Sequence, residues 1–177
     1  MALAYQPFWC EENIWQLAGA PEVGPGERVV LVITGAGDKV ACWQQRTAPV
    51  GKPVCWDYHV VLAVREQHWV VWDLDTRLGH PVPAEQWLHG TFPSPAAVPA
   101  LFQPRFGWFP AEMWRSAFTS DRGHMRTGNG GWQQEPPPWP AITGLKEGER
   151  LLLADAIAQA RSGLDLAQLA TRWSVTV

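Results

Sequence analysis

Hydrophobic positions in this chain change period several times, and each change marks an element. Arg28 to Thr34 (RVVLVIT) is a near-continuous β-branched run that predicts a buried strand. A turn at 35–38 leads to a second predicted strand, Lys39 to Gln44, and 49–53 is a connector. Residues 58–64 (YHVVLAV) and 68–74 (HWVVWDL) are two further β-rich runs around the polar Arg65-Glu66-Gln67, which predicts a hairpin with a three-residue connection. Before the strands, Cys10, Ile14, Leu17 and Ala18 recur at helical spacing behind Pro7. Short helices are predicted at 84–88 and from Pro110 to about Phe118, within an otherwise Pro- and Gly-rich region at 79–107. Two more helices are predicted near the C-terminus, 149–160 and a second running from an Asp165 N-cap to Trp173. Residues 119–132 read as a polar loop and 135–140 (EPPPWP) as polyproline II. The pattern describes an α+β chain, one domain over residues 1–177, with a largely antiparallel central sheet and a helix before it.

The hairpin register places chemistry. If Val64 pairs with His68, His59 falls directly opposite Asp73 on the same face. Directly opposed Cβ atoms lie about 4.5–5.5 Å apart, close enough for a carboxylate to orient an imidazole. The same register sets Asp57 against Asp75, either beyond regular pairing or beside a site for something positive. Cys10 lies near the start of the first helix, where the partial positive charge favours thiolate, and a neighbouring His59 would favour it further. A thiol with a histidine base and an aspartate orienter makes a nucleophilic triad of Cys10, His59 and Asp73. Cys42 and Cys55 lack such a context and read as small buried hydrophobes.

Composition narrows the class. At 177 residues, 46% hydrophobic and 18% charged, the chain can bury a proper core. Twelve tryptophans supply that core and leave some to line a groove. A net charge of −3 gives no basic field for nucleic acid. No apolar run approaches the roughly 18 residues of a membrane span, and the N-terminus lacks a secretory pattern. Three cysteines without framework spacing suit a reducing cytoplasm, and no metal or phosphate motif stands out, so neither a metal nor a cofactor is expected.

The segments WCEENIWQL (9–17), WDYHVVL (56–62), WDLDT (72–76), TSDRGHM (119–125) and EPPPWP (135–140), together with WQQ at 43–45, resemble the protein N-terminal glutamine amidohydrolases, in that family's order and at similar separations. Trp9 stands where the family usually has Tyr. The resemblance implies removal of the side-chain amide of an N-terminal glutamine on a protein or peptide, giving glutamate and ammonia. It also implies an α/β sandwich related to papain-like and transglutaminase enzymes, with the catalytic positions on Cys10, His59 and Asp73. Reading a free α-amine calls for a carboxylate, and Asp75, Glu11 and Glu12 are the nearest candidates. His124 is a rival base or a rim contact, Asp121 and Arg122 are expected to pair locally, and EPPPWP is either a wall of the groove or a ligand for a proline-binding module. The expected partner is a Gln-initiated peptide met by a monomer. The alternatives are another thiol enzyme, peptidase or transglutaminase, and a non-catalytic module binding N-terminal peptides.

Overall fold

The computed structural model describes residues 3–93, 97–144 and 150–177. Its frame is a five-stranded antiparallel sheet of β1 (Glu27–Gly35), β4 (His59–Arg65), β5 (Trp69–Trp72), β6 (Val82–Pro83) and β7 (Pro104–Pro110), in the order β6-β5-β4-β1-β7. Strands β2 (Val40–Cys42) and β3 (Val54–Trp56) pair with each other in a small sheet of their own. The predicted second strand is thus real but shorter.

Both faces of the main sheet are covered, which is why β1 and β4 read as continuous apolar runs instead of alternating ones. Helices α1 (Cys10–Ala18), α3 (Ala111–Ala117) and α4 (Leu153–Arg161) bury Ile14, Leu17, Trp114, Ala156 and Ala160 against Val30, Val32, Val60, Leu62 and Val64. On the other face α2 (Ala84–Thr91) and α5 (Leu166–Trp173) bury Trp87, Leu88, Leu169 and Trp173 against Leu31, Ile33, Val61, Ala63 and Val71. The expected α+β class with a mostly antiparallel sheet holds, in three layers. Asp165 caps α5 through a reciprocal capping box with Gln168, as its position predicts.

Three expectations are corrected. The hairpin pairs Arg65 with Trp69 and Leu62 with Trp72, so its three-residue connection is 66–68, not 65–67. Arg65 is drawn into the strand because its guanidinium lies over the Trp69 ring, 5.2 Å from the centroid, and pairs with Glu27 at 2.5 Å. Asp57 therefore does not face Asp75: it pairs with Lys39 at 2.8 Å on the surface. Strand β7, beside β1, lies partly in a stretch read as irregular. A proline stands at each of its ends and it occupies a sheet edge, where a missing N–H is tolerated. Finally, the helix expected over 149–160 begins only at Leu153. Glu149 lies outside the described residues, and Leu151–Leu152 form β9, which runs parallel to β8 (Phe118–Thr119).

Candidate functional site

A cavity of about 610 Å³ opens beside the start of β4 and is lined by Cys10, Tyr58, His59, Asp75 and His124 among others. Cys10 reaches it as the first residue of α1. The turn before it is tight: Trp9 N–H donates to Gln6 O, and Phe8 takes a left-handed φ of 67°, an unusual conformation for a bulky residue. That turn sends Trp9 into the core and leaves Phe8 on the cavity wall.

His59 Nε2 lies 3.0 Å from Asp73 Oδ1, with the two side chains 2% and 0% exposed. The contact survives the shifted register because the shift is by two residues, which preserves the face. Strand β5 ends at Trp72, and Asp73 opens a turn in which its Oδ1 also accepts the Asp75 N–H at 3.1 Å. Gln45 Nε2 and Trp87 Nε1 each donate to Asp73 Oδ2 at 3.1 Å. Burial opposes charge on Asp73, but the facing imidazole and these donors outweigh it and hold the carboxyl below its usual range. Burial likewise works against an imidazolium at His59, and the Asp73 charge and hydrogen bond prevail, raising its pKa. With Nε2 committed, Nδ1 is the ring nitrogen left for the cavity.

The thiol departs from expectation. Burial pushes the Cys10 pKa well above the ordinary thiol value, and the charges of Glu11, Asp75 and Asp73 add to the rise, while the Val60 N–H opposes it. The hydrogen-bond partner of Sγ is Glu11 Oε2 at 3.7 Å. The helix-start effect that favours thiolate is outweighed by burial first, and then by Glu11 folding back toward the sulfur.

The sequence pattern treats Glu11 and Glu12 as first-turn charges; both are fully buried and neither lines the cavity. Glu11 sits behind Tyr58, whose hydroxyl donates to its Oε2 at 2.9 Å and lies 3.1 Å from His124 Nε2. Its Oε1 has no hydrogen-bond partner, and burial pushes its pKa up to about 7. Glu12 accepts four bonds: from Ser120 Oγ at 2.7 Å, from Arg122 Nε at 2.8 Å and Nη2 at 2.7 Å, and from Trp139 Nε1 at 2.8 Å. Arg122 is therefore the partner of Glu12, not of Asp121, because a buried carboxylate demands a paired cation more than an exposed one does. Asn13, also buried, bonds both the N–H and the carbonyl of Gln6 at 2.8 Å. EPPPWP packs against α1, with Trp9 Nε1 donating to Glu135 O at 2.8 Å and Trp139 bonding Glu12, but none of its residues lines the cavity, so it is not the groove wall the sequence suggests.

Asp75 does line the cavity. It is 6% exposed, accepts a 2.5 Å bond from Tyr5 Oη, and burial raises its pKa against the opposing His59 charge. His59, Asp73 and Asp75 each bring a donor atom within 4.8 Å of one another, so these are the residues that could hold a cation. Both Asp73 oxygens already accept two hydrogen bonds, which leaves little donor capacity to share.

Residues that the sequence did not single out are Tyr58, Gln45, Trp87 and the cavity-lining Trp56. Tyr58 and Trp56 lay inside the WDYHVVL block and Gln45 inside WQQ, whereas Trp87 carried no signal beyond an apolar helical position. Cys42 is buried as expected, and Cys55 is exposed, contrary to its reading as a core residue.

A model of the N-terminal glutamine amidase family matches residues 5–167. A protein N-terminal glutamine amidohydrolase from Bos taurus is 32% identical over 147 residues, which is 80% of this chain and 71% of the relative. The Homo sapiens protein of that name is 32% identical over 148 residues, 80% of this chain and 72% of its own, and the Arabidopsis thaliana one 30% over 149, covering 78% and 67%. Agreement of this extent, reaching from the turn before Cys10 into α5, settles the affiliation: the chain belongs to the N-terminal glutamine amidase family.

Proposed function

We propose that this protein hydrolyses the side-chain amide of an N-terminal glutamine on a protein or peptide, releasing ammonia and leaving glutamate. The observation that carries the reading is the meeting of Cys10, His59 and Asp75 in one cavity, with His59 anchored on the buried Asp73, in a chain of this family. Cys10 is the nucleophile, His59 the base and Asp73 the group that orients it. Sγ gives its proton to His59 and attacks the carboxamide carbon. The tetrahedral intermediate collapses as His59 returns that proton to the departing nitrogen, so that ammonia leaves and a thioester remains. Water then adds, with His59 taking its proton and handing it to the sulfur as the carboxylic acid is released. The Cys10 amide N–H, at the first position of α1, has no acceptor within the helix and is our candidate oxyanion donor.

Asp75 is our candidate for the reader of the α-ammonium, because of the three carboxylates considered it is the one that lines the cavity. Its tether to Tyr5 fixes it there. Residues 1–177 then act as one catalytic domain of papain- and transglutaminase-like type, a monomer in a reducing cytoplasm. The three free cysteines suit that compartment. No helix among the described residues is long and apolar enough to cross a membrane.

The test is mass spectrometry on a short Gln-initiated peptide, with Cys10→Ala as control. A gain of about one mass unit, lost in the variant and on N-acetylation of the peptide, is expected. A shortened peptide would instead make the protein a peptidase, an adduct with an added amine a transglutaminase, and unchanged peptide bound by both forms a binding module.

A further inference from the structure

Glu11 is a buried ionisable group with no part in the proton transfers at Cys10. Its Oε2 accepts the Tyr58 hydroxyl and lies 3.7 Å from Cys10 Sγ, while the buried Oε1 has no hydrogen-bond partner and sits 3.6 Å from His124 Nε2. A buried carboxylate oxygen left unpaired is costly, and a network with a purely structural purpose has no need of one. Proton counting sets the direction of the chain. Tyr58 has one hydroxyl proton and gives it to Glu11, so the 3.1 Å contact with His124 is an Nε2–H donating to the tyrosine oxygen. The chain is held firmly. His124 rides on the 3-10 turn Gly123–Met125, and Arg122 before it takes a left-handed φ of 57° in the grip of Glu12. Two adjacent acids of α1 thus hold one loop, Glu12 fastening it through Arg122 and Glu11 facing the histidine it carries. The imidazole meets the Trp9 ring edge-on at 5.7 Å and the Tyr58 ring at 6.0 Å, and Gln133 Nε2 donates to the His124 carbonyl at 3.1 Å.

We propose that Tyr58 and His124 are positioning residues for the nucleophile: they hold Glu11 as a carboxylate beside Cys10 and so set how readily the thiol ionises. The inference rests on Cys10 as the nucleophile of the deamidation and adds the groups that govern it. Each hydrogen bond donated to a carboxyl favours its charged form. Burial lifts Glu11 to about 7, so the loss of one donor decides whether it is charged just above neutrality. The ionisable groups that face it are Cys10 and Glu12 on its own helix, Tyr58 ahead of β4 and His124 from the loop. A charged Glu11 raises the thiol pKa, and a neutral one relieves it. Removing a donor therefore makes Cys10 more reactive, and does so only while Glu11 is there to be neutralised.

The experiment follows iodoacetamide alkylation of Cys10 at pH 8, read at its peptide by mass spectrometry, in Tyr58→Phe, His124→Leu and His124→Gln, each alone and combined with Glu11→Gln. Tyr58→Phe and His124→Leu should each react about twofold faster than the parent, the gain from partly neutralising Glu11. His124→Gln keeps an N–H for the Tyr58 oxygen and should match the parent. Neither Tyr58→Phe nor His124→Leu should add to the gain already present in Glu11→Gln, since both act through that carboxylate. Unchanged or slower alkylation in both single variants, or the same gain with and without Glu11, would overturn the proposal. Equal behaviour of His124→Gln and His124→Leu would overturn the part given to the His124 N–H. Alkylation needs no substrate, so a parent that reacts as expected yet deamidates no Gln-initiated peptide would overturn the activity and leave this control of the thiol standing.

Discussion

Replacing Glu11 by glutamine should make Cys10 more reactive toward a small alkylating agent. Glu11 Oε2 lies 3.7 Å from the sulfur, and the Glu11 charge is foremost among the charges that raise the thiol pKa. At that distance two unit charges repel by about 1 kcal/mol in a water-like medium and about 4.5 kcal/mol at an effective dielectric of about 20. Since 1.36 kcal/mol is worth about tenfold in an ionisation constant, even the lower bound raises the thiolate fraction several-fold to tenfold. A thiolate of lower pKa is intrinsically less nucleophilic, with a Brønsted slope of about 0.4–0.5, so the net gain shrinks to about threefold at that bound and is larger if the site is drier. Glu11 titrates at about 7, so the effect is fullest above neutrality, where the wild-type carboxyl is charged. The assay is iodoacetamide alkylation at pH 8, read at the Cys10 peptide by mass spectrometry, because Cys55 is exposed and would dominate a bulk thiol count. Glutamine keeps an oxygen for the Tyr58 hydroxyl, so the fold should be retained. An unchanged or slower rate at Cys10, in a variant that unfolds like the parent, would refute the reasoning that Glu11 restrains the thiol.

Glu11 should also shape stability. Its folded pKa of about 7 against 4.5 for a free side chain means the folded state holds the proton longer, so this group's stabilisation is full below about pH 4.5 and is lost as pH rises to about 7. The interval is worth about 3 kcal/mol, and urea unfolding midpoints should fall across it in the parent but less in Glu11→Gln. Asp73→Asn should cut kcat on a Gln-initiated peptide by on the order of 10³–10⁴-fold, and it should move the His59 titration in the pH profile downward, because the charge that raises the His59 pKa is gone. Arg122→Ala should destabilise the protein by about 3–5 kcal/mol in urea titration, since it leaves the buried Glu12 carboxylate without its cation.

Much of the frame could be read because burial on both faces writes itself as unbroken apolar runs. Glu27–Gly35 and His59–Arg65 have no other plausible state. Pro104–Pro110 was missed for a matching reason: two prolines and Gly107 are loop punctuation in isolation, and only the edge position beside β1 makes them compatible with a strand. The register of the hairpin turned on a contact between side chains, Arg65 with Trp69, that no period records.

The site shows where pattern reasoning reaches and where it stops. Parity carried His59 and Asp73 to one face, and parity is unaffected by a slip of two, so a wrong register still yielded contacting residues. What parity cannot supply is the third dimension. A helical wheel directs Glu11 and Glu12 away from Cys10 but is silent about what covers them, and here α1 is roofed by Tyr58, Ser120, Arg122 and Trp139. Those partners are 47 to 127 residues away in sequence, which is why two acids that look like solvated first-turn charges are fully buried. The consequence reaches the chemistry. Burial, a carboxylate beside the thiol and another in the cavity together disfavour a thiolate at Cys10. If Asp75 receives the α-ammonium, the substrate itself brings the missing positive charge, so recognition of the N-terminus and ionisation of the nucleophile become one electrostatic event. An N-acetylated peptide would then lose kcat as well as binding, a split that a purely positional amine pocket does not require.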